Sequence, residues 1–359
     1  MRPEVGEIAL LFLKLGTLGF GGPAAHIALM ETEVVRRRRW LSHEEFLDLL
    51  GATNLIPGPN STEMALHIGY RRAGYAGLIA AGLSFILPAA MIVTLIAWAY
   101  VQHGALPEVG IVLRSVKPVI IVVVLQALWG LGRTAIKTSL LAAVAIGSAM
   151  LIVAGVHELV VLLLAAVSCA AARGIRQHSS ALCSVELLPL FLFFLKVGSV
   201  LFGSGYVLLA FLRADLVERW HWLSAGQLLD AVAIGQVTPG PVFATATFVG
   251  YVLAGFPGAF VATVGIFLPA FVFVALSGSL VPRIRKSRIA GAALDGVNAG
   301  TLALMAVVTW QLARTAVVDV PTGLLAAAAV VGIIVLRVNS VWLVAGAGAV
   351  GLLVKLWQP

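Results

Sequence analysis

The sequence predicts an all-α polytopic membrane protein of two inverted-topology repeats, each with about five transmembrane helices plus a Pro-Gly-Pro re-entrant helical hairpin. Three observations carry this reading: an apolar composition, a residue register that returns once along the chain, and a basic-residue bias that changes sides between the two copies. The chain is 60% hydrophobic and 11% charged, with a mean hydropathy of +1.03, whereas a soluble domain is about a quarter charged. A spanning helix needs roughly 20 mainly apolar residues, and about ten such stretches run between short polar or Gly/Pro-containing joints.

The first apolar stretch follows MRPEVGEIAL, which holds two glutamates and no basic cluster, so it is expected to stay as a helix and not to be cleaved as a signal. The net charge of +8 is spread over joints between apolar runs. That is the pattern of orientation signals and not of a nucleic-acid surface. Cys169 and Cys183 have no metal-like spacing to each other or to histidine, so neither a disulfide nor a metal site is expected.

The repeat is legible residue by residue. Phe12-Leu13-Lys14-Leu15-Gly16 returns as Phe194-Leu195-Lys196-Val197-Gly198, and Phe20-Gly21-Gly22 as Phe202-Gly203-Ser204. In the same register Trp40-Leu41-Ser42 answers Trp222-Leu223-Ser224, Asp48 answers Asp230, and Pro57-Gly58-Pro59 answers Pro239-Gly240-Pro241. After a deletion of one residue, Gly69-Tyr70 matches Gly250-Tyr251, Leu87-Pro88-Ala89 matches Leu268-Pro269-Ala270, and Trp129 matches Trp310. Shared membrane composition cannot place Trp, Lys and Pro-Gly-Pro in one register. The expected organisation is a first repeat over 1–176, a linker over 177–186 that overlaps the polar stretch RGIRQHSSALCS (173–184), and a second repeat over 187–359.

Orientation follows from the basic joints. Arg36 to Arg39 and Arg71-Arg72 both want the cytoplasm, and the stretch between them is broken in its middle by Pro-Gly-Pro, which fits a hairpin that enters and returns. The joint from Gln102 to Leu113 lacks Lys and Arg, whereas its counterpart carries Arg283, Arg285, Lys286 and Arg288. An odd number of crossings per copy inverts the second copy and explains this swap. Six crossings per half would make the copies parallel and put Arg71-Arg72 outside. The inverted reading places both termini outside an inner (plasma) membrane.

Backbone breaks inside a membrane survive only where protein or a water-filled cavity satisfies the freed groups, so the doubled breaks are site candidates. Proline ends one half-helix and suits the first turn of the next. Pro57, Gly58, Pro59, Asn60 and Ser61, with Pro239, Gly240 and Pro241, should therefore aim helix starts, and their free amides, at an anion's oxygens. A tight hairpin turn is the plainer alternative. Gly21 and Gly22, with Gly203 and Gly205, allow either an unwound backbone or a close helix contact.

Lys14 and Lys196 lie inside apolar helices at one repeat position, where a lysine costs roughly 3 kcal/mol and marks a pathway or a pair, unless it snorkels. Asn54 and Gln236, matched before the prolines, can donate amides to an oxyanion or bond between helices. Glu63 has Thr245 as its counterpart and is the candidate for carrying a coupling proton; it could instead pair with Lys14 or complement the helix dipole. His26, His67, Asp295 and Asn298 are read as structural.

As a set, Phe-Gly-Gly-Pro at 20–23, the basic run ending in Arg39-Trp40-Leu41-Ser42, Pro-Gly-Pro before a Gly-rich helix, and Gly235-Gln236-Val237-Thr238-Pro239-Gly240-Pro241 resemble the chromate ion transporter family over essentially the whole chain. The resemblance implies a two-half carrier that exports chromate and is associated with chromate resistance. Asn54 stands where many members have Gln, and Glu63 replaces a second common Gln. The expected partners are an oxyanion (chromate, with sulfate the alternative, imported or exchanged) and the lipid bilayer, with no cofactor; a homodimer is compatible. A membrane-embedded enzyme or a substrate-free scaffold are remote alternatives, since no His-Glu-x-x-His, cysteine pair or carboxylate dyad is present.

Overall fold

The computed structural model describes residues 3–357 except 21, 54–55, 104–106, 137, 155, 157–159, 163, 166–167, 169–186, 202–207, 286–287, 337 and 339. The expected linker, both cysteines, and Gly21, Asn54, Gly203 and Gly205 lie outside the described residues. Among the described residues the regular structure is helical, with no strand.

The first apolar stretch forms two helices, α1 (Pro3–Leu18) and α2 (Gly22–Glu31), the second running on through a π-helical turn over Thr32–Arg37. Gly19 and Phe20 lie outside regular structure between these two helices. After α3 (His43–Thr53) come α4 (Asn60–His103), α5 (Pro107–Ala135) and α6 (Ser139–Val153). The second half repeats the order. It has α7 (Leu187–Val200), α8 (Leu208–Phe211) with a π-helical turn over Leu212–Arg219, α9 (Ala225–Val237), a 3-10 turn over Val242–Ala244, α10 (Thr245–Arg285), α11 (Arg288–Ala316), α12 (Val320–Ile334) and finally α13 (Ser340–Trp357).

Neither α4 nor α10 is one rod. Ala73 (φ −144°, ψ 28°) and Gly74 (φ 60°, ψ −146°) interrupt α4, and Ala254 (φ −146°, ψ 26°) with Gly255 (φ 62°, ψ −152°) interrupt α10. The positive φ is why glycine stands second in each turn. The chain doubles back so tightly that a Cβ on Gly69 would lie 2.3 Å from the Gly77 carbonyl oxygen, and one on Gly250 2.3 Å from that of Gly258. The limb before the first turn, residues 60–72, is about 20 Å long at 1.5 Å per residue, short of the roughly 30 Å hydrocarbon core.

Of the apolar stretches expected to cross, four among the described residues are long and apolar enough as helices: Asn60–His103, Val109–Gly130, Val242–Leu276 and Asp295–Ala316. Ser139–Val153, Leu187–Val200, Val320–Ile334 and Trp342–Val354 are shorter apolar helices. The matched tryptophans Trp129 and Trp310 are 74% and 68% exposed. Large apolar exposure repeated over the helix surfaces has lipid as its natural solvent.

The chain forms two compact units, and each draws on both repeats. One comprises Met1–Ala99, Cys183–Gly205 and Ile234–Lys286; the other comprises Tyr100–Leu182, Tyr206–Ala233 and Ser287–Pro359. In the first unit α7 packs along α10, and Phe12, Met30, Met64, Ile68 and Phe85 are buried in one apolar cluster. In the second, α5 packs against α11, α12 and α13, and α6 against α11.

Candidate functional site

The two Pro-Gly-Pro breaks both belong to the first compact unit. Proline has no N–H to continue the preceding helix, but its carbonyl can close the next one. The Thr62 and Glu63 amides donate to the Pro59 carbonyl at 2.8 and 3.0 Å, and Ala244 N donates to the Pro241 carbonyl at 2.9 Å. Between the prolines, Gly58 and Gly240 adopt φ of +141° and +91°, a region costly for any residue with a Cβ.

The amides of these glycines do not face an open space. Gly58 N donates to the Leu201 carbonyl at 2.7 Å, and Gly240 N donates to the Gly19 carbonyl at 3.0 Å. Gly58 and Gly240 are repeat counterparts, as are Gly19 and Leu201. Each half's break is thus bonded to the residue just past the first helix of the other half. Such an exchange satisfies a backbone group that lipid could not. Packing matches it: a Cβ on Gly58 would meet Ala270 Cβ at 3.6 Å, and one on Gly240 would meet Ala89 Cβ, its repeat counterpart, at 2.6 Å.

The polar lining is not shared in this way. Ser61, Thr62 and Glu63 are buried on the first turns of α4, and Glu63 is 0% exposed. Among the described residues neither Glu63 carboxylate oxygen has a hydrogen-bond partner, nor do Thr62 Oγ1 and His67 Nε2. Glu63 lies beside the break, since a Cβ on Gly58 would come within 2.3 Å of its Oε1. Its counterpart Thr245 donates its hydroxyl to the Val242 carbonyl at 2.8 Å, and the counterpart of His67 is Phe248. Gln236 is buried near the end of α9 and Asn60 opens α4.

His26, which sequence reasoning treats as structural, sits on the break: its Nε2 is 2.9 Å from the same Gly19 carbonyl that accepts from Gly240. Lys14 does not reach for Glu63. Its Nζ lies 3.0 Å from Glu33, which also holds Arg37 at 3.0 Å and Arg38 at 3.6 Å. Lys196 places its Nζ 5.6 Å from the centre of the Phe193 ring.

Sequence reasoning missed Glu33, although the repeat signalled it. Asp215 stands in its register, with Arg37 and Arg219 matched four residues on, and Arg219 lies 3.7 Å from Asp215. It also missed Lys117, inside the apolar Val109–Gly130 segment of α5. In the second compact unit, Lys117 Nζ pairs with Asp230 Oδ1 at 3.0 Å, and Tyr100 donates its hydroxyl to Asp230 Oδ2 at 3.0 Å. Among the described residues no group of three or more His, Cys, Asp and Glu side chains gathers as a metal site.

Comparison with known proteins agrees with this two-half frame. The family model described as "Chromate transporter" matches the chain twice, over residues 6–170 and 188–352. The "Chromate transport protein" of Cupriavidus metallidurans is 31% identical over 96% of this chain and 92% of that protein. The protein of the same description from Pseudomonas aeruginosa is 33% identical over 87% and 82%, and a "Probable chromate transport protein" of Synechococcus elongatus is 31% identical over 89% and 87%. No solved structure matches the chain. A double match of the family model across nearly the whole helical chain establishes that this integral membrane protein belongs to the chromate transporter family.

Proposed function

We propose that this chain moves a tetrahedral oxyanion dianion, chromate first, out of the cell by alternating access, with the anion between the two Pro-Gly-Pro breaks. The observation that carries the reading is the reciprocal bonding of Gly58 to Leu201 and of Gly240 to Gly19. Each bond ties a Pro-Gly-Pro break of one half to the residue just past the first helix of the other, and polar backbone at membrane depth is tolerated only beside a cavity or protein. With the break amides bonded within the protein, Asn54, Asn60, Ser61 and Gln236 would supply the donors, and the glycines at 21, 22, 203 and 205 a close backbone approach.

The re-entrant reading of residues 42–70 gains support from the basic joints. Arg38 from the first and Arg72 from the second lie 5.2 and 5.4 Å from the centre of the same Trp40 ring, so the segment between them returns to where it started. With both joints cytoplasmic, the copies are inverted, the termini are outside and the membrane is the inner one. Export needs no coupling ion: an inside-negative potential of about 100 mV favours exit of a dianion by roughly 4.6 kcal/mol. Lys14 and Lys196 offset the dianion's charge, and for Lys14 this requires release from Glu33.

A second reading, proton-coupled uptake or exchange of sulfate or another oxyanion, is favoured by one observation: Glu63 is fully buried with both oxygens unpartnered among the described residues. A carboxylate so placed has to hold a proton or a cation. Vesicles containing the purified protein decide between the readings. Chromate flux that follows an imposed potential and ignores a pH gradient supports export. Sulfate flux driven by a pH gradient, or chromate flux indifferent to the potential, sinks it.

A further inference from the structure

A basic cavity lies away from the breaks, and its construction starts in the backbone. Arg39 takes φ +53°, folding the chain so that Trp40 N and Leu41 N both donate to the Val34 carbonyl, at 2.7 and 3.4 Å. Trp40 then serves as a platform, with the Arg38 and Arg72 guanidinium carbons 5.2 and 5.4 Å from its ring centre. Next to it a capping box fixes Glu45: Ser42 N donates to Glu45 Oε2 at 2.9 Å and Glu45 N to Ser42 Oγ at 3.1 Å. The other Glu45 oxygen accepts from Arg71 at 3.1 Å. Trp40, Leu41, Glu45, Ile68, Arg71 and Arg72 line an open cavity of about 140 Å³.

The charges divide unequally. Arg38 has Glu33 and Arg71 has Glu45 as counter-ions, whereas Arg72 has no carboxylate in ion-pair range among the described residues. A guanidinium stacked on an aromatic ring by its face keeps its N–H edge for two oxygens of an anion.

The second half builds the same scaffold without this chemistry. His221 also takes φ +53°, Trp222 N and Leu223 N donate to the Leu216 carbonyl at 2.8 and 3.1 Å, and Ser224 with Gln227 forms the equivalent box at 2.9 and 3.1 Å. There Trp220 replaces Arg38 and stacks on Trp222 with ring centres 4.6 Å apart, Gln227 replaces Glu45, and Val252-Leu253 replace Arg71-Arg72. The fold therefore needs none of these four charges.

We infer that the Trp40–Arg71–Arg72 cavity is a docking site for a tetrahedral oxyanion group, either the transported anion or the phosphodiester of a lipid headgroup. It rests on the oxyanion-transport reading only for the identity of the free anion. Arg71 and Pro59 lie at opposite ends of one helical limb, about 18 Å apart at 1.5 Å per residue, so a docked anion would wait one limb away from the first break.

The test is binding of radiolabelled chromate to the full chain in phosphatidylcholine nanodiscs. Removing one unit charge at about 6 Å from a dianion weakens binding roughly tenfold in water and about threefold at physiological salt. Arg72→Gln should lose three- to tenfold in affinity and flatten the salt dependence, while eluting as a folded, monodisperse protein. Trp40→Leu keeps every charge but removes the platform, and should also weaken binding. Adding phosphatidylglycerol separates the sources: competition with chromate in wild type, absent in Arg72→Gln, assigns the site to the headgroup, and no competition assigns it to the free anion. Wild-type binding of chromate in both variants, with no lipid effect, overturns the site. Absence of oxyanion flux in vesicles together with variant-sensitive binding would instead refute the transport reading and leave the docking site standing.

Discussion

Replacing Gly240 by alanine tests whether the reciprocal exchange at the breaks is a packed, strained junction. At φ +91° an alanine is held outside its favoured backbone regions at a cost of about 1–3 kcal/mol. Its Cβ would also sit 2.6 Å from Ala89 Cβ, an overlap that neither methyl can relieve by rotation. Overpacking of this kind costs about 1–3 kcal/mol, so Gly240→Ala should destabilise by roughly 2–5 kcal/mol. Ala89→Gly alone should cost about 1 kcal/mol, as glycine does inside a helix. Because it removes the methyl that clashes, the double variant should be more stable than the sum of the single changes by about 1–2 kcal/mol. Unfolding of the purified protein in detergent, followed by the loss of monodisperse protein with temperature or denaturant, gives the four corners of the cycle. Coupling within about 0.5 kcal/mol of zero, the usual scatter for independent sites, would refute a contact between the second break and the helix bearing Ala89.

Three further predictions follow the ion pairs and the lone carboxylate. Lys117→Met should destabilise by about 3–5 kcal/mol by leaving Asp230 without its cation, while Lys117→Met with Asp230→Asn recovers most of that loss, read by the same unfolding assay. Lys14→Met leaves Glu33 its two arginines and should cost under about 1 kcal/mol, so a lost vesicle flux would report on transport and retained flux would remove Lys14 from the path. Glu63→Gln should fold at least as well as wild type. If Glu63 carries the proton, it should abolish the stimulation of uptake by external acid, and a pH profile identical to wild type excludes that role.

Much of this frame could be read in advance because it is written in residues that lipid makes expensive. A proline pair, a glycine cluster or a lysine inside an apolar run stands out, and its recurrence in register removes chance. The two-half, all-helical organisation and the positions of the breaks come from that signal. The reciprocity of the breaks was invisible, since nothing in either copy says that Gly58 bonds to Leu201 and not to its own half. Lys14 illustrates a second limit. Its exception status was plain, but Glu33 is an ordinary acid in a polar joint, and only comparison with Asp215 marks it. The joint at Arg71-Arg72 is legible from its charge, but not how tight it is: the reversal takes only two residues, Ala73 and Gly74, and rests on their dihedral angles.

The repeat also separates what the fold requires from what is added to it. Where both copies keep a feature, such as the Ala-Gly turns, the left-handed residue before each tryptophan, or the exchange at the breaks, the feature holds backbone together. Where one copy alone carries polar chemistry, the other proves the scaffold stable without it. Glu63 against Thr245, His67 against Phe248, and Arg71-Arg72 against Val252-Leu253 all fall on the limb 60–72 or its counterpart. Among the described residues, one limb thus bears a carboxylate without a hydrogen-bond partner at the break and a guanidinium without a carboxylate in ion-pair range at its far end, and its counterpart carries neither side chain. A frame with matched junctions can pass between related states at similar energy, whereas charges confined to one limb make the two states unequal for an anion. Grafting the pair onto the second half, as Val252→Arg with Leu253→Arg, therefore tests the asymmetry itself. The half-saturating chromate concentrations for flux in the two directions should draw closer together, and unchanged values would show that the one-sided charges do not set the difference.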